Sequence, residues 1–385
     1  MRLEEICTVF TDGDWIESKD QSDDGIRLVQ TGNIGEGIYL EKEARAKYIS
    51  EETFEKLKCT EIFPGDILVS RLPNPVGRAC IIPEKEERMI TAVDCTICRP
   101  NESIISKEYL CYFMRSSAYY KRLLGSVTGT TRKRISRKNL GNVELEVPSK
   151  ERQMDVVEQL DCLVKVIESR KQELQLLDNL IKARFVEMFG DVQNEEKYKG
   201  IQLRELCSTI SGGTPSTKFP EYYEGDIPWI STVSLGPNYI DGTTAKGYIT
   251  QEAVDNSATK LIPAGNILFG TRVGVGKSSL NNVDICTNQD IVAIVGIDES
   301  KFNRLFIKHV LDAYQPYYDS IKKGATILGI TGDDLKDTLI PNVPIETQIE
   351  FEKLVHQVDK SKVAVQKALE ETQVLFDSLM QQYFG

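Results

Sequence analysis

The chain repeats itself after about half its length, and no other feature limits its possible folds as strongly. Leu3-Glu-Glu-Ile-Cys7 returns as Leu203-Arg-Glu-Leu-Cys207, and Phe63-Pro-Gly-Asp-Ile-Leu68 returns as Ile262-Pro-Ala-Gly-Asn-Ile-Leu268. Thr91-Ala-Val-Asp94 parallels Thr287-Asn-Gln-Asp290, and Gly125, in a Gly/Thr-rich loop, parallels Gly324. Val147-Pro148 and Val343-Pro344 each introduce a strongly helical segment, and those segments end at Phe189-Gly190 and Phe384-Gly385. A period near 195–200 residues is far too long for a solenoid. It implies duplication of a whole unit, globular part first and helix second.

Each globular part reads as mixed α and β. Ile67–Ser70, Ala79–Ile82 and Ile267–Phe269 are short, apolar or β-branched and bounded by Gly or Pro, which predicts strands. Helical spacing of Leu, Phe, Tyr and Ile predicts helices over Lys107–Leu124 and Lys301–Ile321. Residues 149–189 and 345–384 contain neither Gly nor Pro, so each predicts one helix of roughly 36–40 residues, on the order of 55–60 Å long. In the second, Phe351, Val355, Val358, Lys362, Val365, Leu369, Thr372, Phe376, Leu379 and Tyr383 alternate steps of four and three, a heptad stripe. The first carries Val157, Leu160, Val164 and Ile167, then Leu174, Leu177 and Ile181, with an expected phase shift near Lys171. Such stripes need a partner, and duplication favours pairing the two helices antiparallel about a pseudo-twofold axis. The simpler alternative is that each helix packs on its own domain.

Composition narrows the function. Hydrophobic residues make up 41% and charged residues 27% of 385, enough for a sizeable core, and the apolar runs are too short to span a bilayer. The opening Met1-Arg-Leu-Glu-Glu lacks an apolar signal core, so a cytoplasmic location is expected. Nine cysteines read as reduced core residues, and Cys95-Thr-Ile-Cys98 lacks the second pair a zinc site needs. Gly270-Thr-Arg-Val-Gly-Val-Gly-Lys-Ser278 misses the phosphate-loop spacing by one residue. His309 and His356 sit in no recognisable acid–base arrangement, and Asn74-Pro75-Val lacks the Pro-Pro-aromatic continuation of an amino-methyltransferase. No catalytic, cofactor-binding or metal-binding residue is therefore expected, and the chain reads as a binding protein.

The positive signal is local charge. The net charge is −11, yet Tyr109–Val143 holds no Asp or Glu while carrying Arg115, Lys121, Arg122, Arg132, Lys133, Arg134, Arg137 and Lys138. With Thr130 and its flexible neighbours, this loop suits a phosphate backbone, with one or two arginines reaching guanine edges in the major groove. The bland reading is a solvated charged face. Its counterpart, with Lys322, Lys323 and Thr326, is much less basic, which fits two domains reading different short sequences. Arg71 and Arg78 match the positions of Arg272 and Lys277 and form a second expected contact loop.

The chain resembles the specificity subunit of Type I restriction–modification systems. The resemblance spans the whole chain and rests on Ser211-Gly-Gly-Thr-Pro-Ser216 followed by Gly225-Asp-Ile-Pro-Trp-Ile230. It rests also on the two Pro-Gly-type strand entries, on Gly324–Leu335, and on Gln153 and Gln348 with the Phe-Gly helix ends. The first repeat departs from it, having Thr11-Asp-Gly-Asp-Trp-Ile16 where the second has Gly-Gly-Thr-Pro. The resemblance implies an α+β fold: target-recognition domains at 1–148 and 191–343, and spacer helices at 149–190 and 344–385. Each domain would read one half of a bipartite double-stranded DNA site, and the helices would set the unread gap. They would also dock two modification subunits, which carry S-adenosylmethionine, with motor-nuclease restriction subunits joining them. A spacer of roughly 55 Å corresponds to about one and a half turns of B-DNA. The chain itself would have no catalytic role, and the rival reading is a scaffold that uses the helix pair only for protein assembly.

Overall fold

The computed structural model describes residues 1–127, 129, 133–193, 197–324 and 328–385. The fold is α+β, and the chain forms two compact units: 1–172 with 366–385, and 173–365.

The first unit is organised by an antiparallel sheet in the order Cys7–Asp12, Cys95–Pro100, Ile67–Ser70, Ala79–Ile81. All four residues of Ile67–Ser70 are buried, as expected for a central strand covered on both faces. A second sheet orders Tyr48–Ile49, Ile26–Val29, Met89–Thr91 and Glu61–Ile62, with Ile26–Val29 and Met89–Thr91 parallel. The second unit repeats the plan. Ile267–Gly270 pairs antiparallel with Ser278–Asn281 on one side and Ile291–Val295 on the other. The register is shared: Ile67 faces Ile81 and Cys98, while Ile267 faces Leu280 and Ile294.

Each of the two expected mid-domain helices is in fact a pair. Lys107–Phe113 and Ser117–Leu124 are separate because the Ser116 hydroxyl accepts from the Tyr119 amide and caps a new helix. Arg304–Ala313 and Gln315–Ile321 divide at Pro316, which sits in the first turn of the second helix.

The long helices are Lys150–Phe189 and Ile345–Phe384, 40 residues each. In the first unit their segments run antiparallel: the Tyr383 hydroxyl donates to Gln159 at 2.7 Å, and Val156, Leu160 and Ile167 share a core with Phe376, Met380 and Phe384. In the second unit Lys362 pairs with Asp178 at 2.6 Å, and Phe351 meets the rings of Phe185 and Phe189 at 5.4 and 5.5 Å.

The stripe of the first helix differs from its sequence reading. Gln153, Val156, Leu160, Leu163, Ile167, Arg170, Leu174, Leu177, Ile181, Arg184 and Met188 are each buried or half-buried, and their steps of three and four never break. No phase shift occurs near Lys171. Val157 is half-buried beside the buried Val156, and Leu163 and Val164 are both half-buried against the same core. Counting only apolar residues hid the register, because two of its positions, Arg170 and Arg184, are half-buried arginines. In the second helix Val358, Val365 and Phe376 are buried, and Leu369 and Leu379 half-buried.

Two glutamines fix each domain to its helix. Gln153, fully buried, donates to the carbonyls of Ile104 and Pro148 and accepts from the Ser106 amide. Gln348, equally buried, donates to Lys301 and Val343 and accepts from Asn303. Ser106 and Asn303 are themselves the N-caps of Lys107–Phe113 and Arg304–Ala313. A primary amide is the side chain that donates two hydrogen bonds and accepts one from this single position.

Candidate nucleic-acid interface

In each unit, one end of the main sheet gathers three connections into a frame of backbone hydrogen bonds. In the first, the Arg71 amide donates to the Asp94 carbonyl at 2.9 Å, and the Ile135 amide donates to Arg71 at 3.3 Å. In the second, the Thr271 amide donates to Asp290 and the Ile330 amide to Thr271, both at 2.8 Å. Gly77 bonds back to Ser70, and Gly276 to Gly270. Positive φ at both glycines, 91° and 83°, is what lets these loops turn so tightly.

This frame corrects one expected correspondence. Arg71 is the equivalent of Thr271, not of Arg272, and Arg272 stands where the first unit has Leu72. Gly324 likewise matches Gly129 in conformation, with φ of 144° and 103°, rather than Gly125, which is helical.

Arg71 and Arg78 were expected at an exposed contact loop, and both are buried. Arg78 donates to the carbonyls of Thr31, Ile34, Leu72 and Pro75, tying the 31–34 turn to the loop beside it. Arg71 donates to the Val93 carbonyl and lies 3.4 Å from Asp12. Burial lowers the pKa of both guanidiniums from the ordinary arginine value, for Arg71 against the pull of Asp12. Their work is to hold the loops, and the sequence misled because a cation in a Gly/Pro-rich loop reads as a surface group.

Lys133, Arg134, Arg137 and Lys138 are exposed. Arg134 pairs with Asp94 at 2.9 Å, and Arg137 lies 3.9 Å from Asp12. Thr130, Arg132 and Thr326 lie outside the described residues. In the second unit Arg272 and Lys277 are exposed, and Arg272 lies 3.6 Å from Asp290. Arg272 and Lys323 meet across an open cavity of about 430 Å³ that Gly329 and Thr331 also line. Lys322 is held by Asp319.

The carboxylates Asp12, Asp94 and Asp290 were missed as site residues. The signal was available for two of them: Asp94 and Asp290 close matching segments of the repeat, each among loops otherwise rich in cations. Cys95 and Cys98, free and buried in their strand, belong to the core. Among the described residues no group of three or more His, Cys, Asp or Glu is placed to hold a metal ion, and no helix is long and apolar enough to cross a membrane.

The family model for the Type I restriction modification DNA specificity domain matches twice, at residues 1–179 and 195–372. The chain belongs to this family. It is 30% identical over 148 residues to the Type I restriction enzyme MjaIX specificity subunit of Methanocaldococcus jannaschii, covering 38% of this chain and 34% of that one. It is 31% identical over 165 residues to the EcoR124I/EcoR124II specificity subunit of Escherichia coli, covering 41% and 39%. The matched stretches thus span between a third and two fifths of those relatives' own lengths. Over the whole chain, the fold is similar to that of a chain solved in a study of complex assembly and conformational transition of the type I R-M system. The TM-score is 0.63 at 18% identity, with 100% of this chain and 96% of that chain covered.

Proposed function

We propose that this chain is the DNA-reading subunit of a Type I restriction–modification complex, each target-recognition domain reading one half of a bipartite, gapped site. The observation that carries this reading is the contrast within the repeat: one backbone frame in both units, presenting loops of different chemistry at the same end of the sheet. A scaffold needs the duplicated frame and the helices but has no use for two different basic loop sets. Exposed lysines and arginines around this frame suit a phosphate backbone, with a few side chains left to read base edges.

The helices set the gap and dock two modification subunits. Leu180 and Leu375, at matching places in the two helices, are 44% and 50% exposed, and Leu176 and Val374 beside them are exposed as well. An exposed leucine at the same place in both helices suits two copies of one partner. S-adenosylmethionine and methyl transfer belong to those modification subunits, restriction to a further motor-nuclease subunit, and this chain contributes no catalytic group.

The test is a genome-wide map of N6-methyladenine, with and without the gene, in cells that carry the matching modification subunit. A two-part gapped motif that depends on the gene is expected. Absence of any dependent motif would put the scaffold reading ahead.

A further inference from the structure

The two repeats hold an arginine at one equivalent place, but they take it from different loops. In the first, the position after Arg71 is Leu72, buried, and the arginine comes from the later loop as Arg134, one residue before Ile135. In the second, the position after Thr271 is Arg272, and the later loop has Gly329, one residue before Ile330. A Cβ at residue 329 would lie 2.7 Å from the Thr271 carbonyl and 2.9 Å from the Arg272 Cγ. Glycine there leaves the room that the Arg272 stem occupies, so a unit of this shape holds one arginine or the other.

Both arginines end on the same carboxylate of the repeat, Asp94 or Asp290, each fixed by its own carbonyl to the frame. The carboxylates are the more enclosed partners, at 27% and 15% exposure against 46% and 54% for the arginines. An arginine destined for a phosphate gains nothing from a carboxylate beside it, because that charge repels the phosphate. An arginine destined for a neutral base edge gains an opposite charge that keeps its side chain over the frame.

We infer that Arg134 and Arg272 are the base-reading arginines of the two domains, each taking the O6/N7 edge of one guanine per half-site, and that Asp94 and Asp290 position them. This rests on the DNA-reading function proposed above. It replaces a diffuse basic loop with one specificity-determining residue and one positioning residue in each domain.

The experiment uses the full chain assembled with its modification subunits. Methyl transfer is measured on duplexes carrying the native gapped site and every single-base change in it, at several salt concentrations. Arg134→Ala lowers discrimination at one G·C pair in one half-site by roughly tenfold to a hundredfold, and Arg272→Ala does so at one pair in the other half. Arg134→Lys, which keeps the charge but not the planar fork, loses the same discrimination. Asp94→Asn and Asp290→Asn relax those same two pairs, and both keep the backbone carbonyls that tie the frame together. Two results overturn the inference: an Asp→Asn variant that tightens binding to every duplex alike with no positional loss, or arginine variants that relax no position. A native complex that methylates no gapped site would instead overturn the DNA-reading function itself.

Discussion

The two units share a frame and differ in what they hang on it. The central sheet register, the glycine closing the loop after the central strand and the glutamine clamp recur in both units, whereas Leu72 answers Arg272, Arg134 answers Gly329 and Val156 answers Phe351. The difference separates two kinds of constraint. Buried backbone groups must be paired whatever the domain reads, so Gln153 and Gln348 make the same three bonds. Loop side chains that face outward are free to diverge.

The comparison can be pressed hardest at the helix stripe. Phe351 is fully buried among Phe185, Phe189 and His309, and Phe351→Ala should cost about 3–5 kcal/mol. Val156→Ala, at the matching place, should cost about 2 kcal/mol. Hydrogen exchange in each unit reads the two losses separately, and equal losses would mean that the stripes are packed alike.

The clamps should instead behave as equals. Gln153→Leu and Gln348→Leu each strand one amide and two carbonyls in the interior, and each should cost about 2–3 kcal/mol. Denaturant unfolding followed in each unit checks this. A neutral substitution in one unit and a severe one in the other would break the equivalence.

A smaller asymmetry is one of pH. Six residues beyond the helix caps, the first unit has Tyr112, bonded to Asp161 at 2.5 Å, and the second has His309. Burial first, then Lys308 and Lys362, hold His309 far below the ordinary histidine value of 6.5, so it stays neutral in the fold. The unfolded chain takes up a proton there as pH falls below about 6.5. Stability from this group is therefore full above that value and lost below it, by at most ~1.4 kcal/mol per pH unit. Denaturation of the second unit between pH 7 and 5 should show this slope, and His309→Phe should remove that share of it.

The gentlest test concerns phosphate contacts. Lys133→Ala with Lys138→Ala should flatten the salt dependence of DNA binding by about two counterions and leave the recognised bases unchanged. Lys322→Ala should do less, because Asp319 already holds that ammonium group.

Much of this architecture was legible in the chain before its structure. The repeat, the long helices and the second stripe follow from residues that recur at fixed spacing, and spacing survives in sequence. What escaped was whatever depends on three-dimensional pairing. Arg71 and Arg78 look like surface cations until the carbonyls they bond to are seen around them. Arg170 and Arg184 break an apolar count although both are half-buried at stripe positions. Asp94 and Asp290 read as incidental acids, because a carboxylate announces its role only through the arginine that folding brings to it.

Two domains that read their half-sites independently on a shared spacer can be exchanged one at a time, and the site then changes by halves. This is tested most directly by mapping methylated adenines made with a chain whose residues 191–343 come from a family member of different specificity. A gapped motif with one half and the gap unchanged and the other half replaced is expected. A motif altered in both halves, or one that loses its gap, would contradict independent reading.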